Sequence, residues 1–280
     1  MYNFSIGAIM DSFRLSERKA IETAAKLGIK GLQMYATNGE HSPKNMTNSR
    51  CRELLDIMAS NGLVFSALCG DFGKGYKNLE RDTGTVEEIK RILYLAKELG
   101  TDVVTTHIGV IPEDPNHPRY KIMQETYGEL AEYASTIGAK LAIETGAEKA
   151  AVLKGFLDSI GSSGSAVNFD PADLIMISND DPVEAVYTLK DYIVHTHAKD
   201  GIKLKDVDPE VVYSIEESEL RKEKYFIEVP LGMGKVPFAE YLKALSDIGY
   251  NGFLTIEREV GVNPAADIAL AVEFLKSKIK

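Results

Sequence analysis

Short apolar runs recur along the chain, each preceded by an amphipathic stretch that stops at a glycine. Stretches ending at Gly28, Gly62, Gly100, Gly138 and Gly249 lead into apolar runs at 31–35, 63–68, 102–106, 140–144 and 252–257. Glycine takes the left-handed conformation that releases a chain from a helix, so each pair reads as a helix end followed at once by a strand. The first four of these glycines are spaced by 34, 38 and 38 residues, the length of one strand–helix unit with its loops. Further apolar runs at 3–9, 166–169 and 192–196 bring the expected strands to eight. The matching helices are expected at 16–27, 47–61, 84–99, 120–137, 148–160, 181–190, 237–248 and 264–278.

Most of the strand runs are continuously apolar rather than alternating, as in parallel strands covered on both faces. Strict alternation of strand and helix predicts an α/β chain, a (β/α)8 TIM barrel forming a single domain over 1–280. A doubly wound open sheet usually carries a glycine-rich loop after its first strand, and Ala8-Ile9-Met10-Asp11-Ser12 is not one. One segment interrupts the rhythm. Residues 200–236 form a long charged excursion after the seventh strand, with a dense run at 216–224. Its charges read as a solvated helical face, and its length also suits a lid or an oligomer contact.

Composition narrows the function classes. The 280 residues carry 32 basic and 42 acidic side chains, a formal net charge of −10. That charge opposes general binding to nucleic acid. The two cysteines, Cys51 and Cys69, are too few for a disulfide scaffold or a cysteine-based zinc site. No basic leader followed by an apolar core opens the chain, and no apolar stretch approaches the roughly 20 residues of a membrane span. The expectation is a soluble cytoplasmic protein.

In a barrel of this kind the chemistry sits at the C-terminal ends of the strands. The fifth expected strand ends in Glu144, the sixth runs into Asp170, the seventh carries His195 and His197, and the eighth ends in Glu257. Three carboxylates facing one another in a water-poor mouth repel unless a cation lies among them. Glu144, Asp170, His197 and Glu257 therefore read as ligands of one divalent metal. An oxygen-rich set with one imidazole suits Mn²⁺ first, then Mg²⁺ or Co²⁺, and Zn²⁺ less well. His195, two residues earlier on the same strand face, lies one layer deeper, in a packing or hydrogen-bonding role. His107 ends the fourth strand, either touching substrate or hydrogen-bonded at the rim. Lys199 and Arg258 either bind an anionic substituent or pair with acidic neighbours. His41 and His117 stand in polar loops and receive no role.

The residues Ile143-Glu144, Asp170-Pro171, His195-Thr196-His197-Ala198-Lys199-Asp200, Gly232-Met233-Gly234-Lys235-Val236-Pro237-Phe238 and Ile256-Glu257 occur in this order along the chain. Together they resemble the xylose-isomerase-like TIM-barrel family, most of all its sugar (phosphate) isomerases and epimerases, including ketose 3-epimerases. The resemblance implies a Glu-Asp-His-Glu quartet holding manganese, cobalt or magnesium, with the two glutamates, Glu144 and Glu257, also moving the substrate's protons through an enediolate. It implies a small-molecule sugar as substrate, and leaves a homo-oligomer open. Two positions depart from the epimerase pattern. Asp173 stands where those enzymes carry a histidine, and is placed among the substrate contacts. Lys199, Lys203 and Lys205 stand near the place of an arginine. A metal-dependent lyase acting on a keto-sugar would use the same site. An endonuclease-IV-like phosphodiesterase needs more histidines at the mouth than this chain supplies.

Overall fold

The structure, a computed structural model, describes residues 2–73, 83–213 and 223–280. The glycine signal works as its chemistry requires at Gly28, which ends the first helix at φ 81° with its N–H donating to the carbonyls of Ala24 and Ala25. The next strand begins three residues later. Repetition of this step produces the strands β1 (Ser5–Ile9), β2 (Gly31–Tyr35), β3 (Val64–Cys69), β4 (Val103–Thr106), β5 (Lys140–Glu144), β6 (Ser165–Phe169) and β7 (Ile193–Ala198). A short pair, β8 (Gly201–Lys203) and β9 (Phe226–Glu228), comes before the last barrel strand, β10 (Phe253–Ile256). Helices α1 (Glu17–Leu27), α2 (Asn48–Ser60), α3 (Thr83–Glu98), α4 (Pro118–Thr136), α5 (Ala150–Ile160), α6 (Pro182–Thr188), α7 (Phe238–Asp247) and α8 (Pro264–Ile279) alternate with them.

Eight parallel strands close in the order β1-β10-β7-β6-β5-β4-β3-β2. The closure register pairs Ser5 with Phe253 and Ala8 with Ile256. Side chains alternate along each strand, so Leu141, Ile143, Val167 and Phe169 face the helices and join the main core with Tyr127, Leu153 and Phe156. Ala142 and Ala166 turn the other way, into a small apolar layer with Ala67 and Val103. Glu144 and Asn168 follow two residues later on that same face, which delivers their polar ends to the mouth.

Three boundaries differ from the sequence expectation. β7 runs on to Ala198, which keeps His197 inside the strand and firmly aimed. Between β6 and α6 lies a turn, Pro171–Asp173, continued by a five-residue π-helical segment, Leu174–Ser178. The excursion is not a solvated helix over its described length. It folds back as the antiparallel pair β8–β9, with Gly201 opposite Glu228, plus one helical turn at Pro209–Val212. Most of the charged run, residues 216–222 of 216–224, lies outside the described residues. No helix among the described residues is long and apolar enough to cross a membrane.

Candidate metal centre at the barrel mouth

β5, β6, β7 and β10 are neighbours in the barrel, and their ends bring Glu144, Asp170, His197 and Glu257 together. One ligand atom from each lies within 4.8 Å of the others, and all four residues are buried. The focus is His197 Nδ1, which stands 3.0 Å from Glu144 Oε1, 3.3 Å from Glu257 Oε2 and 3.6 Å from Asp170 Oδ2. Its other ring nitrogen, Nε2, is 3.0 Å from Gln33 Oε1. Gln33 is itself oriented, because its amide Nε2 donates to Thr105 Oγ1 at 3.1 Å. An imidazole whose Nε2–H donates to Gln33 turns the Nδ1 lone pair toward three carboxylates. Burial opposes a charge on His197, yet Glu144 and Glu257 raise its proton affinity well above the ordinary histidine value. A proton thus supplies part of the positive charge this cluster demands. A divalent cation at the same four atoms would supply more of it and leave the ring neutral.

Asp170 carries the sharpest sign of a ligand role. Its Oδ1 accepts from the N–H groups of Ala172 and Asp173 at 2.7 and 3.0 Å. Its Oδ2, fully buried, has no hydrogen-bond partner among the described residues. Thr145 holds the backbone beneath it, donating to Asp170 O at 2.9 Å and accepting from Asp170 N at 2.8 Å. A buried acceptor without a donor is costly unless something positive meets it. The residues present therefore fit a hard or borderline divalent ion, and the cluster could hold one.

Below the quartet, His195 donates from Nδ1 to Asn168 Oδ1 at 2.8 Å and accepts at Nε2 from the Thr255 hydroxyl at 2.9 Å. Burial and the neighbouring His197 push its proton affinity well below the usual value, so it is neutral. Asn168 passes the connection on, donating to Glu144 Oε2 at 3.1 Å. Beside the quartet, the Lys199 ammonium lies 3.0 Å from Glu257 Oε2, 3.4 Å from Asp173 Oδ1 and 3.2 Å from Glu259 Oε2. Burial opposes ionisation of Glu257, but Lys199 and His197 more than offset it and hold the carboxyl well below its usual range. For Asp173 burial prevails over Lys199, and its proton affinity is raised.

A cavity of about 420 Å³ opens above the quartet, lined by Glu144, Asp173, His197, Lys199 and Glu257, and by Tyr213, Phe226 and Ile227 of the excursion. The excursion is thus a wall of the site. His107 lies in this cavity with Nδ1 3.1 Å from Asp71 Oδ2 and Nε2 3.9 Å from Glu144 Oε2. Burial lowers its proton affinity, but Glu144 and Asp71 raise it more, to about 10. Arg258 is not brought into the cavity. It follows Glu257 on the strand end and points the other way, where it pairs with Glu228 Oε1 at 2.5 Å and Asp267 Oδ2 at 2.8 Å, tying β9 to α8. Gln33, Asn168 and Tyr213 escaped the sequence reading. The first two interrupt apolar strand runs with an amide, a signal that could have marked them.

A closed parallel barrel with an acid-and-imidazole cluster at the C-terminal mouth defines the class. The model of the xylose isomerase-like TIM barrel family matches residues 21–278, and the chain belongs to that family. An uncharacterised protein of Methanocaldococcus jannaschii is 28% identical over 189 residues, which cover 62% of this chain and 57% of that protein. The chain thus spans little more than half the length of this relative. Among solved structures, a xylose isomerase domain protein from Planctomyces limnophilus is 26% identical, with TM-score 0.78, covering 99% of this chain and 96% of that one. The probable 3-DHS dehydratase of petrobactin synthesis from Bacillus anthracis shares the fold at 18% identity and TM-score 0.75, covering 98% and 99%. D-psicose 3-epimerase from Clostridium cellulolyticum, solved with D-tagatose, shares it at 17% identity and TM-score 0.72, covering 99% and 100%.

Proposed function

We propose that the protein is a divalent-metal-dependent sugar isomerase or epimerase, with Mn²⁺ the preferred ion and Mg²⁺ or Co²⁺ able to replace it. The observation that carries this reading is the convergence of His197 Nδ1 with three carboxylate oxygens, among them Asp170 Oδ2, which has no hydrogen bond among the described residues. Membership of the xylose isomerase-like family and a fold shared with a ketose 3-epimerase support it. Glu144, Asp170, His197 and Glu257 would hold the ion. When bound, the ion polarises the sugar carbonyl and offsets the negative charge of an enediolate.

The proton chemistry belongs to the chain. Glu144 and Glu257 come from strands at the two ends of the quartet, so they approach a substrate from two sides. One takes the proton from the carbon next to the carbonyl, and the other returns a proton on the opposite face. Return to the same carbon inverts it, and return to the former carbonyl carbon, with the hydroxyl hydrogen passing to the former carbonyl oxygen, isomerises the sugar. Lys199 keeps Glu257 ionised. Asn168 holds Glu144 Oε2, fixing the carboxylate plane. His107 and Asp173, on the cavity wall, would bind substrate hydroxyls. Chelator-treated protein, reloaded with Mn²⁺, is incubated with ketoses in D₂O. Deuterium at the carbon next to the carbonyl, dependent on the ion, is expected. Failure to bind Mn²⁺, or exchange indifferent to it, would sink the reading.

One observation favours a second reading. His107, held as a cation by Asp71 beside Glu144, is placed to protonate a departing hydroxyl, which is what a lyase on a keto-sugar requires. Release of water, with an unsaturated product absorbing in the ultraviolet, separates it from epimerisation.

A further inference from the structure

Tyr213 walls the cavity, yet the ion pair that docks its segment lies outside it. The helical turn Pro209–Val212 of the excursion is capped by Asp208, whose Oδ1 accepts from Glu210 N at 2.9 Å. Proline at the first helical position and aspartate at the cap favour a turn at this place. Glu210 Oε1 accepts from Arg119 Nη2, 91 residues earlier in sequence at the start of α4. Arg119 is 9% exposed, and its backbone N–H donates to Nδ1 of His117, the cap of α4, at 3.2 Å. A pair with so buried a cation is screened far less than the ion pairs of the surface. Neither partner is among the described residues that line the cavity.

The turn transmits that fixed point to the cavity. Val211 N donates to Asp208 O at 3.0 Å and Tyr213 N to Pro209 O at 2.9 Å, so Glu210 and Tyr213 belong to one hydrogen-bonded unit. Tyr213 lines the cavity, and its ring centroid stands 5.5 Å from that of His107 with the planes tilted by 41°. His107 follows β4 and Arg119 opens α4, so both contacts fall on the same strand–helix unit of the barrel. The turn therefore docks at the helix start through Glu210 and at the strand end through Tyr213, and a shift at one contact displaces the other. Burial, with the charges of Asp173 and Glu144, raises the proton affinity of the Tyr213 phenol well above its usual value, so it stays a neutral hydroxyl. A wall held in this way excludes water from a charged intermediate and keeps its proton from leaking to solvent.

We propose that Arg119 is a positioning residue, whose pair with Glu210 sets Tyr213 against His107 and so shields the enediolate from water. The inference rests on the isomerase or epimerase reading and adds to it a residue outside the cavity. Arg119→Met keeps the apolar stem and removes the charge. In the Mn²⁺-loaded full chain it should cut kcat by up to about 10²-fold, the cost of a ~1 Å misplacement remote from the chemistry, with Mn²⁺ affinity by calorimetry unchanged. In D₂O the ratio of deuterium in recovered ketose to deuterium in product should rise, which a loss of stability alone does not produce. Arg119→Met should add nothing to Tyr213→Ala, because the first acts through the second. An unchanged ratio, or additive effects in the double variant, overturns the proposal. Glu210→Gln, on the more exposed partner, gives the same reading if Arg119→Met does not fold. A readout without turnover comes from the absence of tryptophan in the chain, which makes Tyr213→Trp a single emission reporter of the contact. Adding Arg119→Met should move that emission to the red and open it to acrylamide quenching. Emission that moves in a protein exchanging deuterium into no ketose removes the isomerase reading and keeps the docking of Tyr213. Exchange in the wild type with unmoved emission does the reverse.

Discussion

Gln33 provides the most direct test of how the quartet is organised, because among the described residues His197 is the member of the quartet it hydrogen-bonds. Gln33→Leu keeps the volume of a side chain that is 1% exposed and deletes the acceptor for His197 Nε2–H. The ring then loses the bond that holds its Nδ1 toward Glu144, Asp170 and Glu257. Outer partners of this kind typically contribute 10–100-fold in metal affinity, or about 1.4–2.8 kcal/mol. The metal-free protein should also weaken, since the deserted N–H is buried and costs about 1–3 kcal/mol. For a chain of 280 residues the unfolding entropy is about 0.6 kcal/mol per degree, so the melting temperature should fall by about 2–5 °C. Calorimetric titration of chelator-treated wild type and variant with Mn²⁺ reads the first effect, and differential scanning fluorimetry reads the second. A variant that melts lower but binds Mn²⁺ with wild-type affinity would show that Gln33 does not orient the ligand nitrogen.

Four further outcomes are expected. Mn²⁺ at one hundred times its dissociation constant should stabilise the wild type by about 2.7 kcal/mol, roughly 4–5 °C, and Asp170→Ala should abolish the shift; melting curves with and without chelator decide. His197→Ala should lose metal outright, whereas His195→Ala, acting through Asn168, should lose about 10–100-fold in affinity; equal loss from both would contradict the ligand assignment. Glu144→Gln and Glu257→Gln should each retain metal, if less tightly, and cut turnover by about 10²–10⁴-fold, with the double variant little worse than either single one. Away from the mouth, burial raises the proton affinity of Glu17, but hydrogen bonds from Arg50 and His41 more than offset it and leave the carboxyl below its ordinary value of 4.5. Its stabilising contribution is therefore present above that value and lost as the pH falls through the folded one. Urea midpoints of wild type and Glu17→Gln across an acid series should converge at low pH, and a constant gap would refute the assignment.

The barrel was legible because its signals are local. A glycine after an amphipathic run and a continuous apolar stretch are decided by backbone sterics and burial within a dozen residues. The quartet was legible for a related reason, since an acid or imidazole at the end of an apolar run stands out wherever the run lies. Even the separation of His195 from His197 follows from a two-residue period. The same period accounts for Arg258, for which the sequence left two roles open. It adjoins Glu257 in sequence, yet alternation turns it away from the mouth toward Glu228 and Asp267.

Other features exist only once the barrel closes. Gln33 is 164 residues from His197, and no local pattern foretells which amide will meet which ring across a closed interior. The excursion reads as solvated charge because composition reports its mean, whereas Asp200 draws the amides of Gly232, Gly234 and Val236 back to the strand end and swings Tyr213 and Phe226 over the mouth. Sequence by itself determined the strands, their order along the chain and the four candidate ligand types, because each depends on residues close in sequence. Tertiary structure alone decided which cations are already paired, which acceptor is left without a donor and what walls the cavity, because those depend on distances between strands that only closure sets.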